Sequence, residues 1–218
     1  MDIELQGTKE RIFDIAIRKI SKDGFESVSM RDIATEAGIQ VASIYSHFSS
    51  KNEILDTIYE YFSVHRLDNR NSTERIRHII ETGNALEIMA TLSDTAFDFD
   101  EKMAIRMVLI PKIILMRIFK DPKANEFFLH KWHKDDIAHL KKWLGYALEI
   151  GRLPEDFDIE NFSIFFWRQL IMIGIWAFAD VNYEVKMLDE EKHLLQLFSS
   201  MLPLKEALKT HEYEGESV

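Results

Sequence analysis

The spacing of apolar residues along the chain predicts helices almost throughout. The clearest stripe comes first, where Ile12, Phe13, Ala16, Ile17 and Ile20 recur at helical spacing. Together with capping and breaking residues, this periodicity predicts helices over 9–23, 41–47, 50–65, 73–92, 102–120, 122–150, 159–179 and 190–202. A break is expected at Gly83 and a bend at Pro111. Four prolines and eight glycines are too few for a β-rich or disordered chain, so the predicted fold class is all-α.

One stretch, residues 29–48, has a more specific pattern. Ser29 is suited to cap a short helix with Asp32 at its third position, and Gly38 ends that helix where the backbone needs a positive φ. A second short helix follows the turn, with Ile44 facing inward. Two short helices joined by a glycine turn are typical of a helix-turn-helix, which reads DNA through its second helix. An ordinary helical hairpin is the alternative.

The flanking segments extend this pattern. Helix 9–23 precedes it, and Ser50 with Glu53 forms a predicted capping box at the start of helix 50–65. A supporting helix, a helix-turn-helix and a long helix in this order resemble the N-terminal domain of the TetR (tetracycline repressor) family of transcriptional regulators. The residues that carry the resemblance are Ile33, Ala34, Ala37, Gly38, Ile39, Ile44, Tyr45, His47, Phe48, Lys51 and Leu55. The resemblance is close over 9–62 and covers the remaining residues in layout alone.

Two positions depart from the family pattern. Gln40 stands where Ser or Thr usually opens the recognition helix, and Ala42 stands where Gly is frequent. Both departures affect what the helix reads rather than whether the fold forms. We expect base edges to be approached by Gln40, Ala42, Ser43 and His47, and phosphates to be held by Tyr45, Lys51 and the helix ends at Ser29 and Ser50. The predicted DNA-binding residues are Ser29, Gln40, Val41, Ala42, Ser43, Tyr45, His47, Ser50 and Lys51.

The net charge of −10 argues at first against a DNA-binding protein. Residues 1–52 hold seven Lys or Arg and eight Asp or Glu, so even this part is not basic. The local distribution matters more, because residues 37–52 contain no acidic side chain. A surface without carboxylates can approach phosphates through hydroxyls, amides and Lys51. We therefore expect few ionic contacts and a modest salt dependence, with a slope of about −0.9 per neutralised phosphate.

Several functional classes are disfavoured by composition and motifs. The chain has no cysteine, which excludes disulfides and thiolate chemistry, and its first twenty residues do not resemble a signal peptide. A cytoplasmic location is expected. Because nucleotide-binding, hydrolase and zinc-protease motifs are missing, no enzyme activity and no cofactor are predicted. His130, His133 and His139 share a helix with Asp136, but they form no closed ligand set, and no metal site is predicted.

Residues 162–179 are apolar on nearly every face. Their length approaches that of a membrane span, but Arg168 and Gln169 lie in the middle, so burial within protein is the better explanation. The resemblance implies that this helix and helix 190–202 pair with a second copy as a four-helix bundle. The predicted dimer-interface residues are Phe162, Phe165, Ile173, Trp176, Leu194, Leu197, Phe198 and Met201. A central core helix of a monomer is the alternative.

The resemblance also implies a small-molecule cavity in the larger domain. The predicted effector-pocket residues are Met103, Arg106, Met107, Ile110, Pro111, Ile114, Trp143, Tyr146, Phe166, Arg168, Gln169 and Met172. The candidate polar anchors are Arg106, Arg117, Arg168 and Gln169, which favours an amphipathic or anionic hydrophobic ligand. The alternative is that these residues only form core.

The sequence thus predicts a DNA-binding domain over 1–65 and a helical effector-binding and dimerisation domain over 66–218. The predicted function is that of a ligand-responsive homodimeric transcriptional regulator, foremost a repressor, that binds a palindromic operator and responds to a small hydrophobic or amphipathic effector. A ligand that repacks helix 102–120 is expected to tilt helix 50–65 and so change the spacing of the two DNA-binding domains. The alternative function is a helical ligand-binding or interaction protein without DNA-binding activity.

Overall fold

The computed structural model describes the backbone over 5–68, 73–93, 101–179 and 183–206, and the side chains over 5–65, 73–93, 101–175 and 192–206. Every regular element within these ranges is helical, which confirms the predicted fold class. The elements are α1 (Gly7–Asp23), α2 (Met30–Glu36), α3 (Val41–Ile44), α4 (Lys51–Asp68), α5 (Thr73–Thr82), α6 (Ala85–Leu92), α7 (Glu101–Arg117), α8 (Pro122–Glu126), a π-helical segment (Phe127–Trp132), α9 (His133–Glu149), α10 (Ile159–Ala179) and α11 (Tyr183–Met201).

Local capping explains several helix starts. Asn84 caps α6. Its side-chain oxygen accepts a hydrogen bond from the Glu87 backbone amide at 3.0 Å, and its backbone amide donates to the Glu87 carboxylate at 2.7 Å. The Asp121 side chain accepts from the Lys123 amide at 3.0 Å, and Pro122 occupies the first position of α8. The predicted break near Gly83 and the new helix after Asp121 are therefore confirmed.

Several predicted boundaries are wrong, since α4 extends to Asp68 rather than to 65 and α7 ends at Arg117 rather than at 120. The last helix begins at Tyr183, seven residues before the predicted start at 190, because the sequence signal there was a capping residue that the helix simply includes. The second short helix was predicted over 41–47 but ends at Ile44. Beyond it the His47 amide bonds back to the Ile44 carbonyl at 3.0 Å, a tighter turn than an α-helix makes.

The predicted helix 122–150 contains the π-helical segment. Within this segment Phe127 stacks on Tyr59 of α4 with ring centroids 5.3 Å apart, and Trp132 meets Phe62 edge-on at 4.9 Å. A π-turn adds a residue to the helical repeat and so rotates the side chains that follow. Here it brings two aromatic rings onto the same face of α4.

The chain folds as two compact units. One contains Met1–Arg70, Asp98–Asp135 and Gly174–Val181, and the other contains Asn71–Phe97, Asp136–Ile173 and Asn182–Val218. The first unit therefore includes α7 and α8 in addition to the predicted DNA-binding domain. Its core is made of the apolar faces of α1 to α4 and α7, and its fully buried members include Ile12, Phe13, Ala16, Ile33, Ala34, Ile44, Ile54, Ile58, Ile110 and Ile114.

The second unit has an aromatic core and a buried arginine. Phe166 and Phe198 are fully buried with ring centroids 4.7 Å apart. Arg152 is also buried, and its guanidinium donates to the carbonyls of Ile80 at 3.1 Å, Gly83 at 2.5 Å and Lys205 at 2.8 Å. These bonds satisfy a buried charge with backbone dipoles and join the α5–α6 turn to the segment after α11. Over the described part of the chain, no helix combines the length and apolarity needed to cross a membrane.

Candidate nucleic-acid interface

A reciprocal cap fixes the start of α2. The Asp32 amide donates to the Ser29 hydroxyl at 3.2 Å, while the Ser29 amide donates to the Asp32 carboxylate at 2.8 Å. The Ser29 hydroxyl also donates to this carboxylate at 2.5 Å, and the bonds from the hydroxyl and the amide lower the pKa of the Asp32 carboxyl below its ordinary value. The predicted capping role of Ser29 is confirmed, and its hydroxyl is already occupied within the cap.

The turn between α2 and α3 depends on Gly38, whose φ is +64°. The last α-helical bond runs from the Ala37 amide to the Ile33 carbonyl at 2.9 Å, and the Ile39 amide closes the helix end by donating to the Ala34 carbonyl at 3.0 Å. A β-carbon added to Gly38 would meet no described atom within 4 Å. Glycine is therefore favoured by its backbone conformation and not by lack of space.

α3 presents a polar and open surface. Gln40, Ala42 and Ser43 are exposed, and Tyr45 in the following turn has 52% of its surface exposed. Ile44 and Phe48 are buried and anchor this short element to the core from beneath. Among the described residues, the Gln40 side chain makes no capping hydrogen bond, so its amide remains available to a partner. His47 is half-buried at the edge of the same surface.

The capping box at the start of α4 differs from the prediction. The Glu53 amide donates to the Ser50 hydroxyl at 3.1 Å, as expected. The Glu53 carboxylate, however, accepts from the Ser49 amide at 2.6 Å and the Ser49 hydroxyl at 2.5 Å, one residue earlier than predicted. These bonds lower the pKa of Glu53 and hold its charge against the backbone.

Lys51 contacts the interior of its own unit. Its Nζ donates to the carbonyls of Phe25 at 2.6 Å and Val28 at 2.7 Å, and it lies 4.2 Å from the centre of the Phe25 ring. Residues 25–28 lead directly into the cap of α2. The ammonium thereby tethers the start of the helix-turn-helix to the start of α4.

The exposed surface of α3 carries no carboxylate, because residues 37–52 contain none. The acid immediately before this stretch, Glu36, pairs with Lys19 at 2.8 Å. On the other side Glu53 is held by Ser49. The surface can therefore approach a polyanion without strong local repulsion.

The predicted effector residues lie in both units and in different environments. Ile110, Ile114, Trp143 and Phe166 are buried, whereas Met172 and Arg168 are exposed. Arg106 is buried. The remaining residues of the set are partly exposed, namely Met103, Met107, Pro111, Tyr146 and Gln169. The Tyr146 hydroxyl bonds to the Glu81 carboxylate.

Two of the predicted anchors are already neutralised within the chain. Arg106 is buried with carboxylates from α1, and the Arg117 guanidinium donates to Asp121 at 2.7 Å. The reason for expecting an anionic ligand at these two positions is therefore removed.

The predicted dimer residues divide by exposure. Phe165, Leu197 and Met201 are exposed, with Leu197 at 54%, and Ile173 and Leu194 are partly exposed. Phe162 and Phe198 pack inside the second unit with ring centroids 5.5 Å apart. The Trp176 side chain lies outside the described residues. Within the part of the chain whose side chains are described, an apolar strip of α10 and α11 thus remains exposed.

A charged cluster on α7 and α1 was not predicted as a unit. Arg106 and Lys102 of α7 meet Glu10 and Asp14 of α1, more than eighty residues away in sequence. Periodicity indicates which face of each helix is polar, but it does not indicate which distant helix that face meets. Tyr61 of α4 completes the cluster through a 2.9 Å bond from the Arg106 Nη1.

Comparisons with known proteins identify the family to which the helix-turn-helix segment belongs. The family model for bacterial regulatory proteins of the tetR family matches residues 12–58. The HTH-type transcriptional repressor KstR2 of Rhodococcus jostii is 33% identical over 161 residues, which are 71% of this chain and 72% of that protein. The HTH-type transcriptional regulator AcrR of Shigella flexneri is 39% identical over 57 residues, and the match spans about a quarter (26%) of each chain.

The fold is shared over a longer range. A transcriptional regulator from Saccharomonospora viridis, solved in complex with choline, superposes with a TM-score of 0.69, covering 90% of this chain and 97% of that one at 17% identity. This likeness concerns the fold, whereas the sequence match to KstR2 extends over more than two thirds of both chains. The chain belongs to the TetR family of bacterial regulatory proteins.

Proposed function

We propose that this protein is a transcriptional regulator that binds duplex DNA through α3 and the turn after it. The observation that carries the proposal is the exposed, carboxylate-free surface of Gln40, Ala42, Ser43 and Tyr45, set on a capped helix-turn-helix. Gln40 offers an amide that suits a base edge in the major groove. The Ser43 hydroxyl also suits a base edge, and the Tyr45 hydroxyl suits a phosphate. His47, Val41 and Ser50 border this surface.

The protein acts, in this proposal, as a homodimer. An exposed apolar strip is formed by Phe165, Leu197 and Met201. The same strip on a second copy of the chain would bury it in a two-fold symmetric interface. TetR-family regulators bind DNA and typically act as dimers. Two helix-turn-helix units related by a two-fold axis read a palindromic operator, with half-sites about one helical turn apart.

A small hydrophobic or amphipathic effector controls the affinity for DNA. The choline complex of the Saccharomonospora viridis protein shows that a chain of this fold holds a small organic molecule. Because Arg106 and Arg117 are paired with carboxylates of this chain, the effector is not expected to depend on these two arginines for its affinity. We further propose that the regulator is a repressor. The relative KstR2 of Rhodococcus jostii is named a transcriptional repressor.

The experiment is a selection of duplexes from a random library, followed by footprinting on the selected sequence. The proposal predicts enrichment of a palindrome and protection of two half-sites on one face of the duplex. An asymmetric footprint over a single half-site would exclude the dimeric arrangement. If no sequence is enriched, a helical ligand-binding protein without DNA-binding activity becomes the better account.

A further inference from the structure

The N-terminal half of α7 is bonded to α1 through a buried arginine. Arg106 is 6% exposed, and its guanidinium donates to Asp14 at 2.7 Å and to Glu10 at 2.9 Å. Lys102, one turn earlier, reaches Glu10 at 2.6 Å. Burial works against the charge of Arg106, but the hydrogen bonds to Asp14, Tyr61 and Glu10 outweigh it and raise its pKa. We call this set of bonds the α1 contact.

The C-terminal end of α7 meets a different part of the same unit. The Arg117 guanidinium lies 4.1 Å from the centre of the Phe25 ring and 3.5 Å from the Glu26 carboxylate. Asp121 orients it with bonds of 2.7 Å and 3.1 Å. The same Phe25 ring is in contact with Lys51. We call the Arg117–Phe25 pair, with Glu26, the loop contact, since both partners lie between α1 and α2.

Pro111 lies in α7 between the two contacts. Its nitrogen carries no hydrogen, so the helix lacks one backbone bond at this point, and its ring displaces the carbonyl of the preceding turn. A helix bends most readily where its hydrogen-bond ladder is interrupted. A change in bend at Pro111 therefore alters the distance between Arg106 and Arg117.

The two contacts hold segments whose relative position matters for DNA binding. The α1 contact holds the supporting helix, while the loop contact holds residues 25–28, which run into the Ser29 cap of α2. A change in the spacing of the two arginines must shift the loop relative to α1 or break the weaker contact. The loop contact is the weaker one, because Glu26 is 86% exposed while Arg106 is buried among its partners.

We propose that α7 controls the helix-turn-helix directly, with Arg106 as the fixed anchor, Pro111 as the bending point and Arg117 as the positioning residue that moves the loop before α2. This inference rests on the proposed DNA-binding function and deepens it. It replaces the predicted route through a tilt of α4 with a route through Phe25. DNA binding and the bend of α7 are then coupled, and the coupling acts in both directions.

Amide hydrogen exchange of the full chain tests this coupling, with and without the duplex that the wild type selects from a random library. Arg117→Gln removes the loop contact, and Phe25→Leu removes it from the other side while keeping an apolar residue in the core. Lys112→Gln is the matched control, since it removes one positive charge from α7 between the contacts. Thermal melts of each variant show that it is folded.

The expected result is that duplex binding slows exchange of the α7 amides after Pro111 in the wild type and in Lys112→Gln by at least about twofold. Arg117→Gln and Phe25→Leu lose this slowing although both still bind the duplex. The proposal is overturned if either folded variant keeps the wild-type slowing, whatever its affinity. If the wild type selects no duplex, the proposed function fails. The loop contact is then tested in the free protein, where residues 29–48 should exchange faster in Arg117→Gln than in Lys112→Gln, and equal rates overturn it.

Discussion

The Lys51 ammonium lies against two carbonyl oxygens and an aromatic ring, and these contacts use much of its hydrogen-bonding capacity. The resemblance to the family assigned this residue to a phosphate. A role in tethering residues 25–28 to α4 is what the distances support, and a phosphate contact by the remaining hydrogen stays a prediction. Lys51 and Tyr45 therefore have different roles. The Tyr45 side chain is largely exposed, whereas the Lys51 side chain joins two segments of the chain.

Replacing Lys51 by methionine should lower the free energy of unfolding by about 2 kcal/mol, since two hydrogen bonds from a charged donor are lost. Urea unfolding followed by circular dichroism measures this difference. Lys19→Met is the matched control, because its pair with half-exposed Glu36 is screened by solvent and should add little to stability. Equal losses in the two variants would contradict the tethering role.

Gly38 allows a second prediction at the level of a single residue. Gly38→Ala should cost about 1–2 kcal/mol of stability, because an L-residue is strained at φ +64° although its β-carbon meets no described atom within 4 Å. Gly38→Asn should cost less, since asparagine tolerates this conformation better. Denaturant midpoints of the two variants show which is less stable. If Gly38→Ala is as stable as the wild type, the turn relaxes to accommodate it.

Among the elements, α3 has the weakest local support. It is four residues long, and its cap residue Gln40 has an extended backbone, at φ −68° and ψ 146°, but makes no side-chain cap within the described structure. Packing of Ile44 and Phe48 therefore holds this element in place more than capping does.

Gln40→Ser should stabilise the protein by roughly 0.5–1 kcal/mol, because a serine hydroxyl can accept a bond from the amides of α3. The same change should alter the base preference of the selected duplexes, since the Gln40 amide is removed from the proposed interface. Selection with each protein, alongside urea unfolding, measures both effects. Identical selected sequences would mean that Gln40 does not read bases.

The elements also show what a sequence can and cannot predict. The Ser29–Asp32 cap and the turn at Gly38 are local, so the residue types alone indicated them. Glu53 illustrates the limit of that reasoning. Ser49 and Ser50 are chemically equivalent hydrogen-bond partners for its carboxylate, and in the structure the carboxylate bonds to Ser49. The α1 and loop contacts join residues about ninety positions apart, which no local pattern specifies.

Within the first unit, several carboxylates bond to cations that burial or geometry holds in place. Hydrogen bonding to Lys102 lowers the pKa of Glu10, with Arg106 adding to it against an opposing effect of burial. Burial alone would raise the pKa of Asp121, but bonds from Arg117 and the Lys123 amide outweigh it and lower the pKa. A carboxyl whose pKa is lowered by folding stabilises the fold at pH values above its unfolded-state pKa. This contribution is lost as the pH falls through its folded-state pKa.

The contribution of these carboxyls to the free energy of unfolding should therefore be fully present from neutral pH down to about 5 and decline as pH falls below the ordinary glutamate value of 4.5. Urea unfolding between pH 7 and pH 3 measures the curve. Glu10→Gln should be less stable at neutral pH and show a flatter decline, whereas exposed Glu126→Gln should follow the wild type. A Glu10→Gln curve parallel to that of the wild type would contradict the assignment.

The most direct test of the whole account is a titration of the selected duplex with wild type, Tyr45→Ala and Phe119→Ala. Phe119 is an aromatic residue with 91% exposure outside α2 and α3, so its removal controls for the loss of an exposed ring. Tyr45→Ala should weaken binding by about tenfold or more, equivalent to about 1.4 kcal/mol, while Phe119→Ala should bind like the wild type. Equal binding by all three proteins would contradict the claim that this surface is the DNA interface.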